Sequence, residues 1–134
     1  MSDGRMIIAV DTNIIMELLE NRRNVQAVRK ALINFAKTGE IVGVSVLSVS
    51  NVFYLAESHK LPLKNVEKVI RSFKVFDVVS EDAEWAFAHY KGKDFEDALQ
   101  VASALREDCA VFLTLDSALA KKYSKFLKIQ LVEA

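Results

Sequence analysis

Apolar residues recur along the chain in two rhythms. Short continuous runs occupy residues 6–10, 41–46, 75–79, 110–115 and 129–132, the pattern of strands covered on both faces. Between them, apolar residues return every three or four positions, as in amphipathic helices. The spacing predicts helices over 14–20 and over 24–37, the latter with Val25, Val28, Leu32 and Phe35 or Ala36 turned inward. Ser48 is placed as the N-cap of a helix over 49–59, and Pro62 in the first turn of another over 63–73 that carries Val66, Val69, Ile70 and Phe73. A helix opened by Ser80 carries Trp85, Phe87 and Ala88, and a short one runs over 117–123. Gly39 and Gly92 are placed as stops. Strands alternating with helices argue for an α/β chain with a parallel sheet and helices on both faces.

The stretch 93–117 joins a helix to a strand that ends in an aspartate. Advancing about 100° per residue, Phe95, Ala98, Leu99, Val101, Ala102, Ala104 and Leu105 gather on an apolar side, with Glu96, Gln100, Ser103 and Glu107 opposite. Asp94 and Asp97 fall on the apolar half. A carboxylate aimed at packed apolar surface is costly unless a cation or hydrogen-bond donors meet it, so a positive partner is expected there.

In open parallel sheets, ligands gather outside the carboxyl ends of the strands. Asp11 and Asp116 each follow an apolar strand directly, and Asp97 stands near the start of the helix that feeds the Asp116 strand. If the two strands are neighbours, the three acids converge on one edge. Their repulsion would force one to hold a proton unless a divalent cation compensates. Oxygen ligands without histidine or thiolate suit Mg²⁺ or Mn²⁺ rather than zinc. Such a cluster suits phosphodiester hydrolysis, because the cation lowers the pKa of an attacking water and neutralises charge on the phosphate. No side-chain nucleophile is required; His59 and His89 stand in no evident relation to a serine or cysteine nucleophile, and four glycines form no phosphate-binding loop. Thr12, Asn13, Thr114 and Ser117 flank the acids, either orienting carboxylates and water or serving as ordinary turn residues. Asp11 and Asp116 also suit helix N-caps, whereas Asp97 has no such use if Asp94 is the cap.

With 134 residues and 51% hydrophobic content, the chain suits one domain spanning 1–134. No apolar run approaches a membrane span and the first ten residues lack a signal-peptide pattern, so a cytoplasmic protein without membrane association is expected. Residues 1–5 are polar and expected to be loose. Cys109, the single cysteine, excludes an internal disulfide, cannot alone build a zinc site, and reads as a buried thiol. Eighteen basic against eighteen acidic residues give no global positive field. Lys121, Lys122, Lys125 and Lys128, with Arg22 and Arg23, either guide a phosphate backbone locally or are solvated surface charge.

Asp11-Thr12-Asn13-Ile14 after the first strand, Asp97-Ala98 in a helix and Thr114-Leu115-Asp116 after the fourth strand resemble, in order and spacing over nearly the whole chain, the PIN domain. That is the metal-dependent ribonuclease fold that includes VapC-type toxins. The resemblance implies a three-layer α/β/α sandwich with a parallel sheet of four to five strands. It further implies Mg²⁺ or Mn²⁺ at Asp11, Asp97 and Asp116, cleavage of single-stranded or structured RNA, homodimers, and an antitoxin partner in toxin members. The family usually carries a glutamate in the first turn of the helix after the second strand. Asn51 takes that place here, keeping a carbonyl oxygen but removing a negative charge. Glu57 lies six residues on, roughly 9 Å farther along a helix. The stretch Lys93-Asp94-Phe95-Glu96-Asp97 resembles a PIN subgroup with this exchange, in which Asp94 serves as an additional acid; taken alone, Asp94 fits an N-cap equally.

Two other readings compete. A haloacid-dehalogenase-like phosphoryl-transfer enzyme needs an acid two residues after Asp11, where Asn13 stands, and a receiver domain wants paired acids near the first strand. Neither pattern is present. The remaining alternative is a PIN-like module that binds RNA or protein without cutting, a reading that Asn51 favours.

Overall fold

The computed structural model describes residues 5–133. Of the loose start expected at 1–5, only Arg5 falls within them, and it is exposed.

Strands β1 (Ile7–Val10), β2 (Ile41–Ser45), β3 (Lys74–Phe76), β4 (Val111–Thr114) and β5 (Ile129–Leu131) form one sheet in the order β3-β2-β1-β4-β5. All four pairings are parallel. The connections run through α1 (Thr12–Glu20), α2 (Val25–Lys37), α3 (Val46–Ser58), α4 (Leu63–Ile70), α5 (Ser80–His89), α6 (Phe95–Arg106) and α7 (Ser117–Tyr123). Because successive strand residues point to opposite faces, the sheet feeds two cores. Ile8, Val10, Val44, Val111 and Leu113 pack with α1 to α4, while Ala9, Phe76 and Phe112 pack with α5 to α7. This three-layer α/β/α arrangement explains why β1 is apolar at every position: all four of its residues are buried.

Several boundaries differ from the sequence reading for local reasons. Helix α3 begins at Val46 rather than after Ser48, because the Ser45 side chain accepts the Ser48 N–H at 3.1 Å and so caps it. Ser48 is thereby carried into the helix and buried. Helix α4 stops at Ile70, where Ser72 takes the Val69 carbonyl through both its N–H, at 3.0 Å, and its hydroxyl, at 2.6 Å. Strand β3 ends at Phe76, since the next carbonyl, of Asp77, accepts from Arg106 Nη2 at 2.6 Å. Helix α5 starts at Ser80, but the group that closes its first turn is Asp82, which accepts the Val79 N–H at 2.9 Å and pairs with Arg106 at 3.0 Å.

The polar side assigned to α6 is also corrected. Gln100 and Ser103 are buried, not solvated. Ser48 of α3 donates to Gln100 Oε1 at 2.8 Å, and Ser103 donates to the Gln100 carbonyl within α6 at 2.8 Å, so both side chains find partners in the interior. Cys109 is half-buried in the turn before β4, and burial together with Glu107 and Asp108 pushes its thiol up to about 12. No helix among the described residues is long and apolar enough to cross a membrane.

Candidate active site

The register of β1 against β4 pairs Val10 with Leu113, which sets Asp11 beside Thr114 at the carboxyl edge of the sheet. Asp11 caps α1, its Oδ1 accepting the Ile14 N–H at 3.2 Å. Its Oδ2 receives the Thr114 hydroxyl at 2.5 Å, and the same hydroxyl oxygen accepts the Asp116 N–H at 3.0 Å. Thr114 thus fixes both acids through one buried group. Asp116 caps α7, with Oδ1 accepting from Ala118 at 2.9 Å and Leu119 at 3.1 Å. Both aspartates cap a helix; the cap leaves Oδ2 of Asp116 without a partner among the described residues, whereas Oδ2 of Asp11 is taken by Thr114.

Asp97 arrives from the first turn of α6, which runs antiparallel to the strand it precedes. Neither of its oxygens has a hydrogen-bond or ion-pair partner among the described residues. Burial raises its pKa to about 6, reinforced by Asp116, Asp11, Glu96 and Asp94 in that order. Asp11 is likewise raised to about 6 by burial and, more weakly, by Asp116, against the opposing hydrogen bonds from Thr114 and Ile14. The repulsion expected between clustered carboxylates is therefore present in the fold.

These side chains open onto a cleft of about 410 Å³ lined by Asp11, Thr12, Asn13, Asn51, Tyr54, Leu55, Glu96, Asp97, Gln100 and Asp116. Ser117 lies outside this lining, exposed on α7, and Thr114 stands behind it. Asp94 is also outside. Its Oδ1 accepts the Lys91 N–H at 2.7 Å, its Oδ2 receives the Tyr123 hydroxyl at 2.6 Å, and Lys122 Nζ approaches at 3.5 Å. The cation expected near the two α6 aspartates thus meets Asp94, while Asp97 faces other acids. Asp94 occupies the N-cap position, but its side chain caps no α6 amide. Asn51 stands in the second turn of α3 rather than the first, a consequence of the earlier helix start, and its amide donates to Glu96 Oε1.

Glu96, Gln100, Tyr54 and Leu55 were not singled out from the sequence. The signal for the first two was their i, i+4 spacing around Asp97 on one helix. Nothing in the pattern distinguished Tyr54 from any other exposed aromatic. His59 and His89 are elsewhere: His59 Nδ1 lies 2.8 Å from Glu20, and the His89 ring stacks on Trp85 at 3.9 Å between centroids.

Two observations bear on a hard dication in this cleft. The donors are all oxygens of carboxylate, amide and hydroxyl groups, and the buried Thr12 hydroxyl has no hydrogen-bond partner, as a group awaiting water or a hydrated ion would be. Among the described residues, however, no group of three or more His, Cys, Asp or Glu side chains is disposed to hold a metal as it stands. The donor chemistry fits Mg²⁺ or Mn²⁺; a closed cage is not preformed, and water would complete the shell.

A protein-family model described as PIN domain matches residues 8–125. A toxin-antitoxin complex from Klebsiella pneumoniae contains a chain that superposes with a TM-score of 0.73 at 19% identity, covering 94% of this chain and 98% of that one. VapBC2 from Rickettsia felis, bound to a DNA fragment from its promoter, gives 0.72 at 15% identity, with 96% and 100% covered. A protein from Pyrobaculum aerophilum gives 0.58 at 20% identity, with 87% of each chain covered. Comparison with curated proteins yields no match.

Proposed function

The chain belongs to the PIN domain family, and from that premise we propose that it is a Mg²⁺- or Mn²⁺-dependent endoribonuclease, the toxin of a toxin-antitoxin pair, acting in the cytoplasm. The observation that carries this reading is the Thr114 hydroxyl bridging Asp11 and Asp116 in a cleft that Asp97 also enters. Asp11, Asp97 and Asp116 would hold the cation, with Asn51 and Glu96 at the margin of its shell. When bound, the cation supplies the positive charge that makes a water more acidic and offsets charge on the phosphate. The Ile14 amide and the Thr114 hydroxyl each take one oxygen of Asp11, fixing its orientation and leaving a second lone pair on each oxygen for the ligand, while the α7 amides take only Oδ1 of Asp116 and leave its Oδ2 to face the ligand. Asp97 meets neighbouring acids and no cation among the described residues, and the repulsion that raises its carboxyl group, together with burial, is what a bound dication would relieve. Among the described residues no histidine, cysteine or serine lines the cleft, which fits hydrolysis by water rather than through a covalent intermediate.

The toxin-antitoxin assemblies among the structural relatives support an antitoxin as the protein partner, and a homodimer is part of the same proposal. Two observations favour a second reading, a module that binds RNA or protein without cutting: Asn51 contributes an amide where the family usually has an acid, and no three carboxylates among the described residues already close on a metal. An RNA cleavage panel with Mg²⁺, Mn²⁺ or EDTA, run on wild type and Asp97→Asn, separates the two. The nuclease reading expects cleavage that EDTA and the substitution both abolish; RNA binding without cleavage by the wild type would establish the second.

A further inference from the structure

One component of the cleft has no part in the hydrolytic chemistry. Tyr54 belongs to its lining, three residues along α3 from Asn51, and yet is 72% exposed. Its ring contacts no other aromatic ring among the described residues, and its only side-chain partner is indirect: the Ser58 hydroxyl donates to its backbone carbonyl at 3.2 Å. Ser50, Glu57 and Ser58, its exposed neighbours one turn away on the helix, are polar. On the cleft lining only the half-buried Leu55 adds to this ring, an apolar surface well below the several hundred Å² of protein-docking patches. The ring is the size of one base. By contrast, the other exposed aromatics, Phe87 and Tyr90, pack against Phe95 with centroids 5.3 and 5.7 Å apart.

Unpaired RNA is recognised by stacking its bases on aromatic side chains while polar groups meet the base edges. Both features occur in this cleft, with Tyr54 as the flat face and, on the same lining, Asn51, whose NH2 donates to Glu96 while its side-chain carbonyl has no partner among the described residues. We propose that Tyr54 is a substrate-positioning residue that stacks on an unpaired base of the strand in the cleft. The inference rests on the ribonuclease reading above. Stacking needs no charge, so it adds affinity for single strands despite the acidic surroundings, and it discriminates against duplex, whose bases are already stacked.

The test uses short single-stranded RNAs of mixed sequence, each with 2-aminopurine at a different position, titrated with wild type, Tyr54→Phe and Tyr54→Ala in Ca²⁺ buffer. Wild type and Tyr54→Phe are expected to quench the fluorophore at one position, and Tyr54→Ala to lose that quenching with about tenfold weaker binding. An abasic site at the same position should abolish the difference between wild type and Tyr54→Ala. Because Tyr54 is exposed, the alanine variant should unfold at the wild-type temperature. If wild type neither binds nor cuts RNA, the ribonuclease reading fails and the inference with it. If wild type cuts RNA but Tyr54→Ala binds and quenches as well, the inference alone fails. Unchanged RNA binding with an altered oligomeric state would assign Tyr54 to a protein contact and overturn the proposal.

Discussion

Thr114 has the least conspicuous chemistry in the site and the most connections: its hydroxyl donates to Asp11 and accepts from the Asp116 amide while fully buried. Valine has the same shape but neither capacity. Thr114→Val is expected to cost about 1–3 kcal/mol in urea unfolding, the range for a buried polar group left without its partner, and to weaken Mn²⁺ binding measured by calorimetry. Asp97 works in the opposite sense. Its folded-state pKa is raised from 3.8 to about 6, so the fold favours its neutral form. That contribution to stability is full below the unfolded value and is lost as pH rises through about 6. Asp97→Asn should therefore abolish cleavage yet raise the melting temperature of the metal-free protein at pH 7.5, with little change at pH 4. That Asp11, Asp97 and Asp116 share one cleft was legible in the sequence, because position alone, directly after a strand or at the start of the preceding helix, puts a residue at the carboxyl edge of the sheet. Glu96 was not. A helical wheel assumes one covered face, whereas α6 packs against α5 as well as the sheet and is reached by Ser48 and Asn51 of α3, so its polar residues divide between cleft and interior.

At the level of elements, α7 offers a way to separate architecture from chemistry at Asp116. Asparagine retains the side-chain oxygen that accepts the Ala118 and Leu119 amides but removes the charge; alanine removes both. Asp116→Asn is expected to keep wild-type stability in thermal unfolding, and Asp116→Ala to lose about 1 kcal/mol, while both lose metal-dependent cleavage. Equal stability losses in the two variants would mean that the cap is not what asparagine preserves. The strands and helices were visible as types because strands buried on both faces and one-sided helices have different periods. Their ends were less so. Ser45 and Ser48 are three apart and both suit an N-cap, and only the departure of β2 from the sheet selects the first. Similarly, the Asp77 carbonyl that ends β3 is taken by Arg106, twenty-nine residues away, a contact no local window contains.

For the whole molecule, the acidic cleft ties stability to cation binding. A ligand that binds only the folded state stabilises it in proportion to its occupancy, and here it also relieves repulsion that grows as the carboxylates ionise. Millimolar Mn²⁺ should raise the melting temperature at pH 7.5, and the increment should shrink toward pH 5 as Asp11 and Asp97, both raised to about 6, take up protons. An increment independent of pH would point to binding at other acids. The most direct measurement is an anomalous difference map from a crystal grown in Mn²⁺. A peak in the cleft within ligating distance of Asp11, Asp97 and Asp116 is predicted. A cleft without a peak at saturating Mn²⁺, or a peak held by other residues, would contradict a shared metal site and with it the hydrolytic role.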